Sequence, residues 1–225
     1  MKQNKSNARI VAIVAIVAIA GISAYAISRN DGGMMDHDMP TMSGNKASQS
    51  TVSANKDSSD YKMFASVTGE NYDRLFLANM IAHHQGAVDM AKLAQNNAKH
   101  QDVKDLATAI VSDQTKEIDD MTAWQKSWNY PASSGEMMMD HSSMGMMDSN
   151  AGMMDALNGK TGEEFDKVFL SEMIKHHQSA IDMASTGATN AYHQELKDLT
   201  KAIITAQTKE ILQMQQWQKN WGYSS

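Results

Sequence analysis

Two pairs of adjacent histidines, His83–His84 and His176–His177, each sit between two methionines. Met80 and Met90 bound the first pair in "MIAHHQGAVDM", and Met173 and Met183 bound the second in "MIKHHQSAIDM". Neutral imidazole is a common metal ligand. A thioether is a soft ligand with no proton to lose, and it favours Cu(I) or Ag(I) over hard cations. Further along each copy a glutamate precedes a methionine by one helical turn: Glu117 with Met121, and Glu210 with Met214. An isolated buried carboxylate is costly and pairs or binds metal. These residues can therefore be read in two ways. They are metal ligands, or they form a structural polar layer in which each glutamate bonds a histidine or a tryptophan N–H, with methionine as core filler.

Twelve of the 20 methionines lie elsewhere, in two tracts. Met34, Met35, Met39 and Met42 surround His37, and Met137, Met138, Met139, Met144, Met146, Met147, Met153 and Met154 surround His141. Aspartates are interleaved in both. The tracts have no helical spacing, so they have no core to fill. Such composition fits several exchangeable sites for Cu(I), Ag(I) or Cu(II) better than one rigid site. Residues 28–67 and 131–160, which contain them, are expected to lack regular structure without metal.

The elements that must position the paired histidines are written twice. A shift of 93 positions aligns residues 68–130 with 161–223 without a gap, and 35 of 63 positions are identical. Each unit reads as a helical hairpin. Apolar residues recur at the 3.6-residue period over Asn71 to Ala94 and Gln101 to Trp128, and the copies run over Glu164 to Thr186 and Gln194 to Trp221. Short loops make the partners antiparallel. A duplicated hairpin buries its apolar face against its copy, so residues 68–223 are expected to be an all-α four-helix bundle with segment 131–160 as the crossover. His84, Ala87, Ala91, Glu117 and Met121 fall on core stripes, and His83 and Met90 fall on a margin. Asp73 and Asp166 project inward near the helix starts, where helix capping suits them.

The N-terminus is a basic stretch, "MKQNKSNAR", followed by 18 apolar residues. Residues 1–27 read as an export signal, with "AYA" before a cleavage point, or as a single membrane anchor. Either way the body lies outside the cytoplasm and touches membrane only through this segment. Without Lys2, Lys5 and Arg9 the remainder has a charge of about −9, from 17 basic and 26 acidic residues. That excludes a nucleic-acid binder. Cysteine is absent, so disulfides, thiolate sites and cysteine nucleophiles are excluded. Outside the cytoplasm thiols oxidise, and methionine is the soft ligand that survives.

The patterns "FxxxMIxHHxxAxxMA" and "KDLxxxIxxxQTKEIxxMxxWQKxW" resemble the bacterial secreted family called domain of unknown function 305. The resemblance covers about residues 68–223 and implies a ferritin-like four-helix bundle. It also implies kinship with members whose added Met/His-rich segments are similar to extracytoplasmic copper-binding resistance proteins. Ferritin-like di-iron enzymes use Glu-x-x-His on two helices; here Glu117 and Glu210 are followed by methionine, and the histidines lie on the other helix of each hairpin. Copper binding for tolerance, sequestration or delivery is therefore expected, with metal ions and copper-exporting or copper-accepting envelope proteins as partners and no catalytic machinery. The alternatives are a ferritin-like metalloenzyme with a redox metal in the bundle core, and a structural envelope module without metal.

Overall fold

The computed structural model describes residues 52–130 and 141–223, with the backbone alone over 141–148. Seven helices run through them: α1 (Ser59–Ala65), α2 (Glu70–Asn97), α3 (Gln101–Ser127), α4 (His141–Leu157), α5 (Gly162–Ala184), α6 (Gly187–Asn190) and α7 (Gln194–Trp221). The four long ones form the expected bundle. α2 pairs with α3 and α5 with α7, and α2 and α5 pack against each other as the join between the repeats. Among the described residues no helix is long and apolar enough to cross a membrane. Residues 1–27, expected to be an export signal or an anchor, lie outside the described residues.

Each hairpin starts at a glycine with a left-handed backbone, Gly69 at φ 66° and Gly162 at φ 64°. A side chain would be strained there. Acidic residues in the first turns, Glu70 and Asp73 in α2 and Glu163 and Glu164 in α5, suit the positive end of the helix dipole.

Two segments expected to be irregular are helical. α1 lies within residues 28–67, and its Phe64 is fully buried. α4 occupies most of the crossover, and its Leu157 is 1% exposed. Phe64 and Leu157 are themselves 93 positions apart, so the repeat includes a short lead-in helix whose last large apolar side chain plugs the bundle. Divergence at all other positions hid this copy: "SDYKMFA" and "GMMDALN" share no aligned residue.

The lead-in helices sit on equivalent places. Ser179 of α5 donates to Asp60 Oδ2 of α1 at 2.6 Å. Gly86, its counterpart in α2, lies under α4, and a Cβ there would come within 2.5 Å of the Asn150 side chain. Asn150 Nδ2 donates to the Ala82 carbonyl at 3.3 Å. This close approach explains why α2 carries glycine mid-helix. It also explains the burial of His83 (2% exposed) and Met90 (0%), which helical periodicity placed on a margin: α2 is covered by α4 and α5 as well as by α3.

Asp73 and Asp166 are caps, but each caps the opposite repeat. Asp73 of α2 is fully buried and accepts from the amides of Tyr192 (2.9 Å) and His193 (3.1 Å) at the start of α7. Its Oδ2 also bonds His193 Nδ1 at 2.6 Å. Asp166 of α5 does the same for Lys99, His100 and His100 Nδ1 at the start of α3. The capped histidines stack on tryptophans, His193 on Trp128 at 3.7 Å and His100 on Trp221 at 3.8 Å. The two ends of the bundle are thereby locked across the repeat boundary, which leaves its middle as the place where other polar groups meet.

Candidate metal centre

The paired histidines meet at the pseudo-two-fold axis. His83 of α2 and His176 of α5 are equivalent positions, and their rings lie 3.6 Å apart between centroids. His84 and His177 flank them, with centroids 6.3 and 6.4 Å from their neighbours in sequence. His84 Nε2 bonds Glu117 Oε2 at 2.7 Å, and His177 Nε2 bonds Glu210 Oε2 at 2.6 Å. The four imidazoles thus form one buried layer, closed at either side by a carboxylate of the second helix in each hairpin.

The layer divides the core in two. Met80, Met121 and Met183 belong to one apolar cluster with Phe64, Tyr72 and Phe76. Met90, Met173 and Met214 belong to the other with Phe165 and Phe169. All six methionines are fully buried. Each cluster takes methionines from three helices, so the two that bound one histidine pair in sequence face different halves of the core.

Hydrogen bonding in the layer is incomplete. Nδ1 of His83, His84, His176 and His177, Nε2 of His176, and Oε1 of Gln114 and Gln207 are buried without a partner. An unsatisfied buried polar atom costs about 1–3 kcal/mol, and such groups are rare in native cores. Burial, then repulsion from the neighbouring imidazoles, holds the His83 and His176 pKa values well below the ordinary histidine range. Both are therefore neutral at pH 7, the form that ligates metal. In His84 and His177 the bond to carboxylate favours the tautomer with hydrogen on Nε2, leaving the Nδ1 lone pair directed away from the glutamate. A carboxylate that orients a histidine in this way is the usual outer support of a metal ligand.

Among the described residues no group of three or more His, Asp or Glu side chains is arranged as a ready-made metal cage.

The tract residues fare differently. Met34, Met35, His37, Met39, Met42, Met137, Met138 and Met139 lie outside the described residues. His141, Met144, Met146 and Met147 fall on the first half of α4. Met153 and Met154 were expected to have no core to fill, yet both are half-buried against the second apolar cluster. His100 and His193, which carry the crossed caps, were not among the expected site residues. Their signal was the Asp73/Asp166 repeat positions, which pointed to a cap without saying of which helix.

Fold and site together define a class: a duplicated all-helical bundle, joined at its centre by a layer of four buried imidazoles. The chain belongs to the DUF305 family, described as "Domain of unknown function", whose profile matches residues 19–124 and again 73–218. Among solved structures, CopM in its Cu(II)-bound form is 40% identical, with a TM-score of 0.55 over 66% of this chain and 97% of that one. CopM in its Cu(I)-bound form is 38% identical, with a TM-score of 0.55 over 66% and 96%; silver-bound forms are also similar. A DUF305 fragment from Deinococcus radiodurans is 26% identical, with a TM-score of 0.54 over 66% and 95%. A DUF305 protein from Streptomyces coelicolor, 24% identical with a TM-score of 0.58 over 65% and 91%, shares the fold. No curated protein sequence matches the chain.

Proposed function

We propose that this protein binds copper outside the cytoplasm, as Cu(I) first, with Ag(I) and Cu(II) as further ligands, for tolerance, sequestration or delivery. The observation that carries this reading is the set of five imidazole nitrogens buried without hydrogen-bond partners. A soft cation bound there satisfies donors that the protein itself leaves bare. The likeness to a protein solved with Cu(I), Cu(II) and silver supports the choice of metal. The bundle supplies the defined sites, from His83, His84, His176 and His177 with methionines of the two apolar clusters. Glu117 and Glu210 orient the flanking imidazoles and contribute charge. The methionine tracts add exchangeable capacity. The basic N-terminus and its apolar run supply export or anchoring, and copper-exporting or copper-accepting envelope proteins are the natural partners. No catalytic step is assigned.

Anaerobic titration with Cu(I) against a chromogenic chelator tests this. Tight binding at more than one site is expected, indifferent to magnesium and calcium. The variant with all four core histidines changed to Gln should bind fewer Cu(I) ions at pH 7 and keep the sites built on thioether. Equal competition by calcium, or an unchanged number of tight sites in that variant, would refute the reading.

A further inference from the structure

The two lead-in helices occupy equivalent places but are held there by different chemistry. On the α5 side the hold is polar. The Asn55 amide donates to Asp182 Oδ1 at 2.7 Å, Gln178 Nε2 donates to the Ser53 carbonyl at 3.0 Å, and Ser179 Oγ donates to Asp60 Oδ2 at 2.6 Å. Just past α1, Asn190 Nδ2 donates to the Val67 carbonyl at 3.0 Å. On the α2 side, among the described residues, the side-chain hydrogen bond that ties α4 to the bundle is the longer one from Asn150 to the Ala82 carbonyl, at 3.3 Å. The rest of the hold is apolar: Leu157, Met153 and Met154 pack in the second cluster. In the other repeat the places of Met153 and Met154 are taken by Asp60 and Tyr61.

Those two methionines also differ from the core methionines in exposure. Met80, Met90, Met121, Met173, Met183 and Met214 are all 0% exposed. Met153 and Met154 are half-buried, so solvent reaches them while they hold the helix. On α1, Met63 is half-buried as well, but there the hydrogen bonds remain.

A thioether can take one oxygen atom from a peroxide. The S–O bond forms, the O–O bond breaks, sulfur is oxidised by two electrons, and hydrogen peroxide leaves as water. The product is a polar sulfoxide in place of a flexible apolar side chain. A polar group pressed against an apolar cluster without a donor is costly, and α4 has little else to hold it.

We propose that Met153 and Met154 are an oxidation site through which a peroxide releases α4 from the bundle. Sulfoxide at these two positions loosens the packing of α4 on the second cluster and leaves the four long helices folded. Release uncovers the Gly86 face of α2, one turn from His83, and detaches the helix that carries Met144, Met146 and Met147. α1, held by hydrogen bonds, stays in place. A methionine sulfoxide reductase, drawing on a dithiol, returns the oxygen as water and restores the contact.

Hydrogen exchange read by mass spectrometry tests this on the full chain, freed of metal with chelator and treated with hydrogen peroxide. Peptide mapping should find sulfoxide at Met153 and Met154 before it appears at the six buried methionines. Amides of Ser149–Leu157 should then exchange roughly tenfold to a hundredfold faster, the effect of two polar groups introduced at half-buried apolar sites. Amides of α1, α3 and α7 should keep their rates. Methionine sulfoxide reductases with dithiothreitol should bring the slow exchange back. In Met153→Leu, Met154→Leu, which keeps apolar volume, peroxide should leave α4 exchange unchanged. Met153→Gln, Met154→Gln should open α4 with no peroxide at all. Sulfoxide at both positions with α4 exchange unchanged, equal release in the leucine variant, or oxidation of the buried methionines just as early would overturn the proposal.

Discussion

Acid should weaken the metal-free protein well before its carboxylates titrate. His83 and His176 have depressed pKa values in the fold, through burial first and neighbouring imidazoles second. In the unfolded chain each returns to about 6.5. The unfolded state therefore gains protons that the folded state refuses, and stability falls as pH drops through about 6.5. Between pH 7.5 and pH 5.5 the loss is about 1.4 kcal/mol for each imidazole that stays neutral in the fold, or about 3 kcal/mol for the pair. Asp60 and Asp113 have raised pKa values, chiefly through burial, and so act in the opposite direction, but only where carboxylates titrate. Urea denaturation of chelator-treated protein at the two pH values measures the difference. The His83→Gln, His176→Gln variant should lose about that much of the pH dependence. A wild-type stability that is flat from pH 7.5 to 5.5, or a variant with the same acid loss, would show that these rings are not held neutral by the core.

Other perturbations reach the elements around the layer. Gly86→Ala should push Asn150 aside and loosen α4, seen as faster proteolysis of the crossover, while far-ultraviolet circular dichroism of the four long helices stays near wild type; an unchanged cleavage pattern would mean that α4 does not depend on this contact. Deleting residues 137–147 should lower Cu(I) capacity with little loss of stability. Extending the deletion to residue 157 should cost several kcal/mol, because Leu157, Met153 and Met154 then leave the second apolar cluster; equal stability of the two deletions would refute the packing role. Asp73→Ala should cost about 2–4 kcal/mol by stranding two amides and a histidine at the start of α7, and a urea midpoint within error of wild type would contradict the crossed cap.

The bundle was legible because the 93-residue repeat carried its own evidence. Apolar period, short loops and duplication all pointed to paired hairpins, and the ends of α3 and α7 fell within a residue of expectation. The lead-in helices were not legible. α4 is rich in methionine, serine and glycine with weak amphipathic order, and it is ordered by one plug, Leu157, and one notch, Gly86, which periodicity does not register. The histidine and glutamate contacts were half legible. Spacing placed His84 and Glu117 on facing stripes, but the contact between His83 and His176 across the axis depends on how α2 meets α5. The methionines misled in the other direction: sequence neighbours Met80 and Met90 suggest one site with the histidines, whereas a helix of that length sends them to opposite halves of the core.

Nitrogen-15 NMR of the histidine side chains during silver titration tests the central claim most directly, because each ring nitrogen reports its own partner. Binding in the bundle should shift the Nδ1 signals of His84 and His177, and those of His83 and His176, at the first equivalents of metal and in all four rings together. His100 and His193, already bonded through Nδ1 to buried aspartates, should stay where they are. If the four core rings keep their metal-free signals while the protein fills with silver, the imidazole layer is structural and the metal lies elsewhere.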